Sequence, residues 1–272
     1  MYKLYETGKE FLDENINLIR NDPLGTTFFE SNANMIGRCD ASNYAVRVET
    51  DGEVMIAIRV DGFPLVIYGS EHCVAELAKV VSENKLQFVK AIGYYDLIDK
   101  FLKTYEQIAG GSHKVNLSMD IMYCDKVEPC DTSEVERATA KNVEEITRLY
   151  VAFLAEAIGE NATWGEKTRK IEQELDLFAV LKVDGKIVSV ASCKDSGYKL
   201  CRISNVYTKP EYRNNGYSRK VVTFLTEQIL QSGKLACLFV DQNNPVSNHL
   251  YQSIGYKYGK SRYEMIYTPK NN

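Results

Sequence analysis

No run of apolar residues in this 272-residue chain approaches the ~20 that a membrane-spanning helix needs, so a bilayer protein is not expected. The stretch from Met1 to Arg20 has no signal-like apolar core, because Lys3, Glu6, Lys9, Glu10, Asp13 and Glu14 interrupt it. No Cys-x-x-Cys pair occurs. The seven cysteines (Cys39, Cys73, Cys124, Cys130, Cys193, Cys201 and Cys237) are scattered, several of them among Val, Ile and Leu. That is the usage of reduced, buried thiols, and it predicts a cytoplasmic protein with neither a disulfide framework nor a metal site. Net positive charge is lacking too. At -4 the chain is a poor partner for nucleic acid, whose phosphates call for a basic surface. Neither G-x-x-x-x-G-K-[ST] nor G-x-G-x-x-G is found, which argues against a nucleoside triphosphatase and a dinucleotide fold. No internal repeat or low-complexity tract is visible.

What is present supports real cores. Hydrophobic residues make up 44% and aromatics 11%, which excludes wholesale disorder, and the length suits two domains of roughly 100–150 residues each. Periodicity predicts a helix over 9–20, stopped by Asn21-Asp22-Pro23, then strands over 44–50 and 53–60 joined by Asp51-Gly52. A third strand over 65–68, a helix capped by Ser70 and running to Glu83, a strand over 86–90 and a helix over 94–108 follow. Residues 114–124 alternate, which would put Val115, Leu117, Met119, Ile121 and Tyr123 on one face. The segment 125–132, with Glu128-Pro129 inside it, reads as a boundary between domains over 1–128 and 129–272. Beyond it the pattern is a strand over 134–138, helices over 142–158 and 166–175, then strands over 178–182, 187–194 and 200–208. A helix over 216–231, a strand over 235–241, a helix over 245–253 and a final strand pair around 263–267 complete it. The fold class is α/β (α+β), with a mixed, mostly antiparallel sheet.

Chemistry gathers near one turn. The strand over 200–208 is cut by Pro210, which cannot donate to a ladder, and the polar loop Arg213-Asn214-Asn215-Gly216 opens a helix. Glycine there lets backbone approach a ligand closely. The unpaired N–H groups of the first turn form an anion site reinforced by the helix dipole. Such a cradle holds a pyrophosphate without metal and with little side-chain charge, so an acidic protein can use it. Taken alone, Arg-x-x-Gly is common, and a Gly216 that serves only the turn is an equal reading.

A second run follows in order: Asn244, Ser247, Leu250, Tyr251, then Gly255-Tyr256. With Arg213, Gly216 and Ser218 these residues resemble the GNAT superfamily of N-acetyltransferases, which carries R/Q-x-x-G-x-G/A after a strand and N-x-x-[AS]-x-x-L-Y one helix and one strand later. Ser218 stands where Gly or Ala is commoner. The resemblance covers about Thr132 to the end. The amino-terminal half matches no motif, although its element order allows a degenerate GNAT-like half.

The resemblance implies acetyl-CoA as acyl donor. Pantetheine would pair with the backbone of Val206, Tyr207 and Thr208, and the pyrophosphate would lie on Arg213, Asn214, Asn215, Gly216, Tyr217, Ser218 and Arg219. Asn244 would touch the cofactor, and Tyr251 would be the acid that protonates the leaving thiolate, with an N–H at Val206 steadying the oxyanion. Two positions where relatives often carry a basic Glu fall on Arg202 and Phe239, which leaves Glu156, Asp241, ordered water or solution as the route for the amine's proton. His249 reads as a surface residue. Tyr150, Phe153, Glu156, Glu160 and Trp164 would lie on the substrate side, the two glutamates there also fitting a solvated helix face. The implied activity is acetyl transfer to a primary amine of a small molecule. The alternatives are a protein or peptide acceptor docked by the amino-terminal half, or a non-catalytic acyl-CoA sensor. The sequence leaves the oligomeric state open.

Overall fold

Asp51-Gly52 and Asp184-Gly185 close two hairpins, with φ of 52° and 79° in the first and 50° and 74° in the second. Paired positive φ values match the twist of the flanking strands, which is why an Asp-Gly pair signals this turn. The computed structural model describes residues 1–159 and 161–270. Its first half runs β1 (Tyr2–Leu4), α1 (Gly8–Asn21), α2 (Phe29–Met35), β2 (Tyr44–Thr50), β3 (Glu53–Arg59), β4 (Leu65–Gly69), α3 (Val74–Glu83), β5 (Lys90–Gly93), α4 (Tyr95–Ala109) and β6 (Ser112–Cys124). The second half repeats that order: β7 (Val135–Arg137), α5 (Val143–Phe153), α6 (Trp164–Gln173), β8 (Phe178–Val183), β9 (Lys186–Asp195), β10 (Leu200–Thr208), α7 (Tyr217–Gln231), β11 (Leu235–Asp241), α8 (Pro245–Ile254) and β12 (Lys257–Thr268). The duplication is structural. It left no repeat in the sequence.

All the strands form one twelve-stranded sheet in the order β1-β2-β3-β4-β5-β12-β6-β11-β10-β9-β8-β7. Only β4–β5 and β10–β11 are parallel. The last strand of each half is exchanged, so that β12 pairs with β5 while β6 pairs with β11, and the two meet at the centre over 112–123. Helices α1, α2, α5 and α6 bury their apolar faces on one side of the sheet, and α3, α4, α7 and α8 on the other.

Four expectations need correction. The final strand pair is a single strand, β12; the second place is filled by β6, which comes from the other half. The strand expected at 86–90 forms at Lys90–Gly93, because these four residues find ladder partners in β12, and Ala91 and Ile92 also in Leu65 and Val66 of β4. Leu86 and Phe88 are buried without joining it. In β6 the register slips between Val115 and Leu117, and both remain exposed, at 46% and 44%. Elements β1 and α2 carry too few apolar residues to be legible, and α5 runs on into a π-helical turn over Leu154–Ile158.

Candidate active site

Strands β10 and β11 pair only over Leu200–Arg202 and Leu235–Cys237. Beyond Arg202 they diverge, which leaves one edge of β10 without a strand neighbour. On its other edge the register with β9 shifts between Ser204 and Tyr207, so Asn205 and Val206 fall in a bulge. Asn205 has φ 55°, and its amide donates to the Ser192 hydroxyl at 2.8 Å. A bulge turns backbone groups out of the ladder, here at the mouth of the divergence.

The chain then turns through Pro210–Tyr212 into α7. Asn214 has φ 64° and Gly216 φ 76°. A Cβ placed on Gly216 would meet nothing within 4 Å, so the space above this glycine is open to a ligand. The N–H of Lys220 reaches the Gly216 carbonyl at 3.1 Å, and the N–H of Arg213 reaches Pro210 at 3.2 Å. Between them, the six consecutive N–H groups from Asn214 to Arg219 find no acceptor among the described residues. Arg219 adds a buried Nε that also has no partner. Six convergent donors at the positive end of a fifteen-residue helix fit an anion, and a diphosphate is the right size.

Arg213 turns elsewhere. Its Nε donates to the Thr208 carbonyl at 3.1 Å and its Nη2 to Glu156 Oε2 at 2.7 Å, while the guanidinium lies 5.6 Å from the Tyr207 ring centroid. The Tyr207 hydroxyl also donates to Glu156, at 3.4 Å. The Arg213 hydrogen bond holds the Glu156 carboxyl below the usual carboxylate range, which makes it a weak proton acceptor. Asp241 is spent on its own turn, accepting from the Asn243 N–H at 2.8 Å.

Tyr251 lies on α8, buried in the apolar cluster that includes Ile203, Val206, Tyr217 and Leu238. Its ring meets Tyr256 edge to face at 5.9 Å. Burial pushes its hydroxyl up to about 12, and among the described residues no group hydrogen-bonds to it. A neutral donor without a partner is therefore available beside the divergence. Asn244 caps α8, accepting from the Ser247 N–H at 3.1 Å through its side-chain oxygen, so that oxygen is engaged within the protein. His249 is exposed, as expected. Tyr150 is buried, its hydroxyl accepting from Lys170 at 3.0 Å; Phe153 stacks on it, and Trp164 is 45% exposed. Glu160 lies outside the described residues.

The opposite face of the divergence holds what the sequence missed. Phe28, from the amino-terminal half, stacks on Phe239 with centroids 5.3 Å apart. The Arg202 guanidinium lies 5.4 Å from the first ring and 5.7 Å from the second. Phe28 adopts φ 85°, a left-handed conformation that is costly for a bulky residue. Nothing in the Phe28-Phe29 dipeptide announces this role, because contact across halves leaves no periodic trace. The matching turn of the first half has no cradle: residues 70–73 alone separate β4 from α3, and the Ser70 hydroxyl accepts from the His72 N–H at 3.3 Å.

Residues 190–265 match the family described as FR47-like protein. Over 98% of its length the chain superposes on 99% of a GNAT-family acetyltransferase from Colwellia psychrerythraea, with a TM-score of 0.60 and 14% identity. It also matches a Drosophila protein, covering 99% of each chain with a TM-score of 0.67 and 12% identity. A tandem GNAT protein of the clavulanic acid biosynthesis pathway aligns with 100% of this chain and 99% of its own, at a TM-score of 0.57 and 9% identity. No curated protein matches the chain. The fold is that of the GNAT acetyltransferase superfamily, built as a tandem of two GNAT-like halves. Among the described residues no helix is long and apolar enough to cross a membrane.

Proposed function

We propose that the chain is an N-acetyltransferase that uses acetyl-CoA to acetylate the primary amine of a small molecule. The observation that carries this reading is the run of unpartnered N–H groups from Asn214 to Arg219 at the mouth of α7, beside the open edge of β10. These amides would hold the diphosphate, with Tyr217, Ser218 and Arg219 forming the first helical turn under it. The open backbone of Val206, Tyr207 and Thr208 would receive the pantetheine amides. Arg213, tied to Glu156 and Thr208, fixes the loop rather than the ligand. Acetyl-CoA supplies an activated acyl group whose C–S bond breaks as the C–N bond forms.

The protein's part is to position and to move protons. An N–H in the bulge at Val206 steadies charge on the acetyl oxygen. Tyr251 gives its proton to the departing sulfur and regains one from solvent. It belongs to the α7–α8 side of the sheet, whereas Arg202 and Phe239 face the α1–α2 side. An amine on the α1–α2 side would add to the acetyl carbonyl to give a tetrahedral intermediate; its nitrogen then releases a proton to solvent as the C–S bond breaks and Tyr251 protonates the sulfur. With Glu156 and Asp241 engaged, the amine enters already neutral, and the rate follows its own protonation. Much of the acceleration is proximity.

One observation favours a second reading, a sensor that binds acyl-CoA without turnover: no free carboxylate stands at Arg202 or Phe239. Calorimetry with acetyl-CoA, followed by thiol release across an amine library, separates the two. The enzyme reading expects binding and amine-dependent release that falls at least tenfold in Tyr251→Phe. Binding without release from any amine would leave the sensor; unchanged release in Tyr251→Phe would remove the acid. Release driven by peptides alone would point to the macromolecular acceptor.

A further inference from the structure

Arg202 is the last residue of β10 paired to β11, so it stands at the point of the divergence where acetyl carbon and amine must meet. Its Nε is buried and has no partner among the described residues. Among the described residues its guanidinium makes no hydrogen bond and no ion pair; its neighbours are the rings of Phe28 and Phe239. Glu174, the carboxylate whose charge reaches it, is committed to Lys194 at 2.8 Å. Removing a guanidinium from water without a counter-anion is expensive, and ring stacking offsets only part of that cost. Desolvation lowers the Arg202 pKa, and the side chain keeps only part of its surface open. The arrangement is also strained into place, since Phe28 is kept at φ 85° to complete it.

We infer that Arg202 is the carboxylate-binding residue of the acceptor site, so that the amine acetylated by this protein also bears a carboxylate close to its nitrogen, as an amino acid does. The inference rests on the acetyltransferase reading above and names its substrate class. A guanidinium fork matches a planar carboxylate with two parallel hydrogen bonds, and the flanking phenyl rings exclude water from the pair. Phe28 comes from the amino-terminal half, so that half helps build the acceptor site while lacking a cradle of its own.

Two measurements test this. In the first, N-acetylglycine, which carries the carboxylate but no free amine, is titrated into the full-length protein while the side-chain Nε–H resonance of Arg202 is followed by NMR. A saturable shift, with binding lost in Arg202→Gln, is expected. No shift, or equal binding by the variant, overturns the inference. This readout needs no turnover, so it stands apart from failure of the acetyltransferase reading, which would show as absent acetyl-CoA binding or absent thiol release. In the second, glycine and small amino acids are compared with their carboxamides by kcat/KM. The carboxylates should be preferred at least tenfold, the preference should collapse to about onefold in Arg202→Gln through KM, and Arg202→Lys, keeping charge without the fork, should lie between. Equal use of carboxylate and carboxamide by the unmodified protein would refute the assignment. So would an Arg202→Gln variant that loses both substrates in proportion, since that is the behaviour of a purely structural arginine.

Discussion

At the scale of single residues the candidate site is defined by groups that have no partner among the described residues. Gly216 is the sharpest case, because a β-branched side chain is strained at φ 76° and would fill the open space over the amides. Gly216→Val should cost about 1–3 kcal/mol of stability and weaken acetyl-CoA binding at least a hundredfold by calorimetry. Retained affinity would show that the anion is held elsewhere. Tyr251 permits a test by pH. Its hydroxyl is raised to about 12 in the fold, against about 10 in an unfolded chain, so the stability linked to it is complete below pH 10 and is lost as pH rises from 10 to 12. Alkaline unfolding followed by circular dichroism should shift upward in Tyr251→Phe. Glu156 behaves in the opposite sense: Arg213 lowers its carboxyl, and it stays ionised at any working pH. Both partners are 40% or more exposed, so the pair contributes little. Glu156→Gln should leave the pH–rate profile unchanged, and a lost ascending limb would restore it as the base.

At the scale of elements the two halves have diverged in one loop. Residues 209–216 lie between β10 and α7, whereas 70–73 lie between β4 and α3. The shorter connection closes on itself: the N–H groups of Ser70, His72 and Cys73 are taken by the Val54 carbonyl, the Ser70 hydroxyl and the Ser70 carbonyl. One acetyl-CoA per chain is therefore the expected stoichiometry in calorimetry. Two equivalent sites would mean that the first half binds by some other surface. The same parallel strand pair, β4–β5 or β10–β11, thus leads into a short closed turn in one half and a longer loop in the other.

At the scale of the whole molecule the exchanged strands decide how the protein folds. Because β12 completes the first half and β6 the second, neither half can bury its fifth strand alone. Fragments 1–128 and 129–272 should be unfolded or aggregated when made separately, and should recover a folded complex when made together. Denaturant unfolding of the intact chain should give coincident transitions by fluorescence and circular dichroism. An independently folded second fragment would show that the exchange adds no cooperativity. Pairing strands from distant parts of the chain also predicts slow folding, since long loops close before their contacts reward them.

The amino-acid sequence by itself determined the local geometry and the amide-lined loop before α7. Asp-Gly turns, the amphipathic helices, the Pro210 break, the Arg213–Gly216 loop and the placement of Tyr251 on a helix all follow from short-range sterics, periodicity and capping, which act within a few residues. Only tertiary structure decided which strand follows β11, that the first half copies the second, and that Phe28 stands over Arg202. Those contacts join residues more than a hundred positions apart, and a strand or a ring carries no local mark of its distant neighbour. The cluster of Arg202, Phe28 and Phe239 was illegible for the same reason: it is assembled across the halves from a guanidinium and two rings, each of which alone reads as ordinary core.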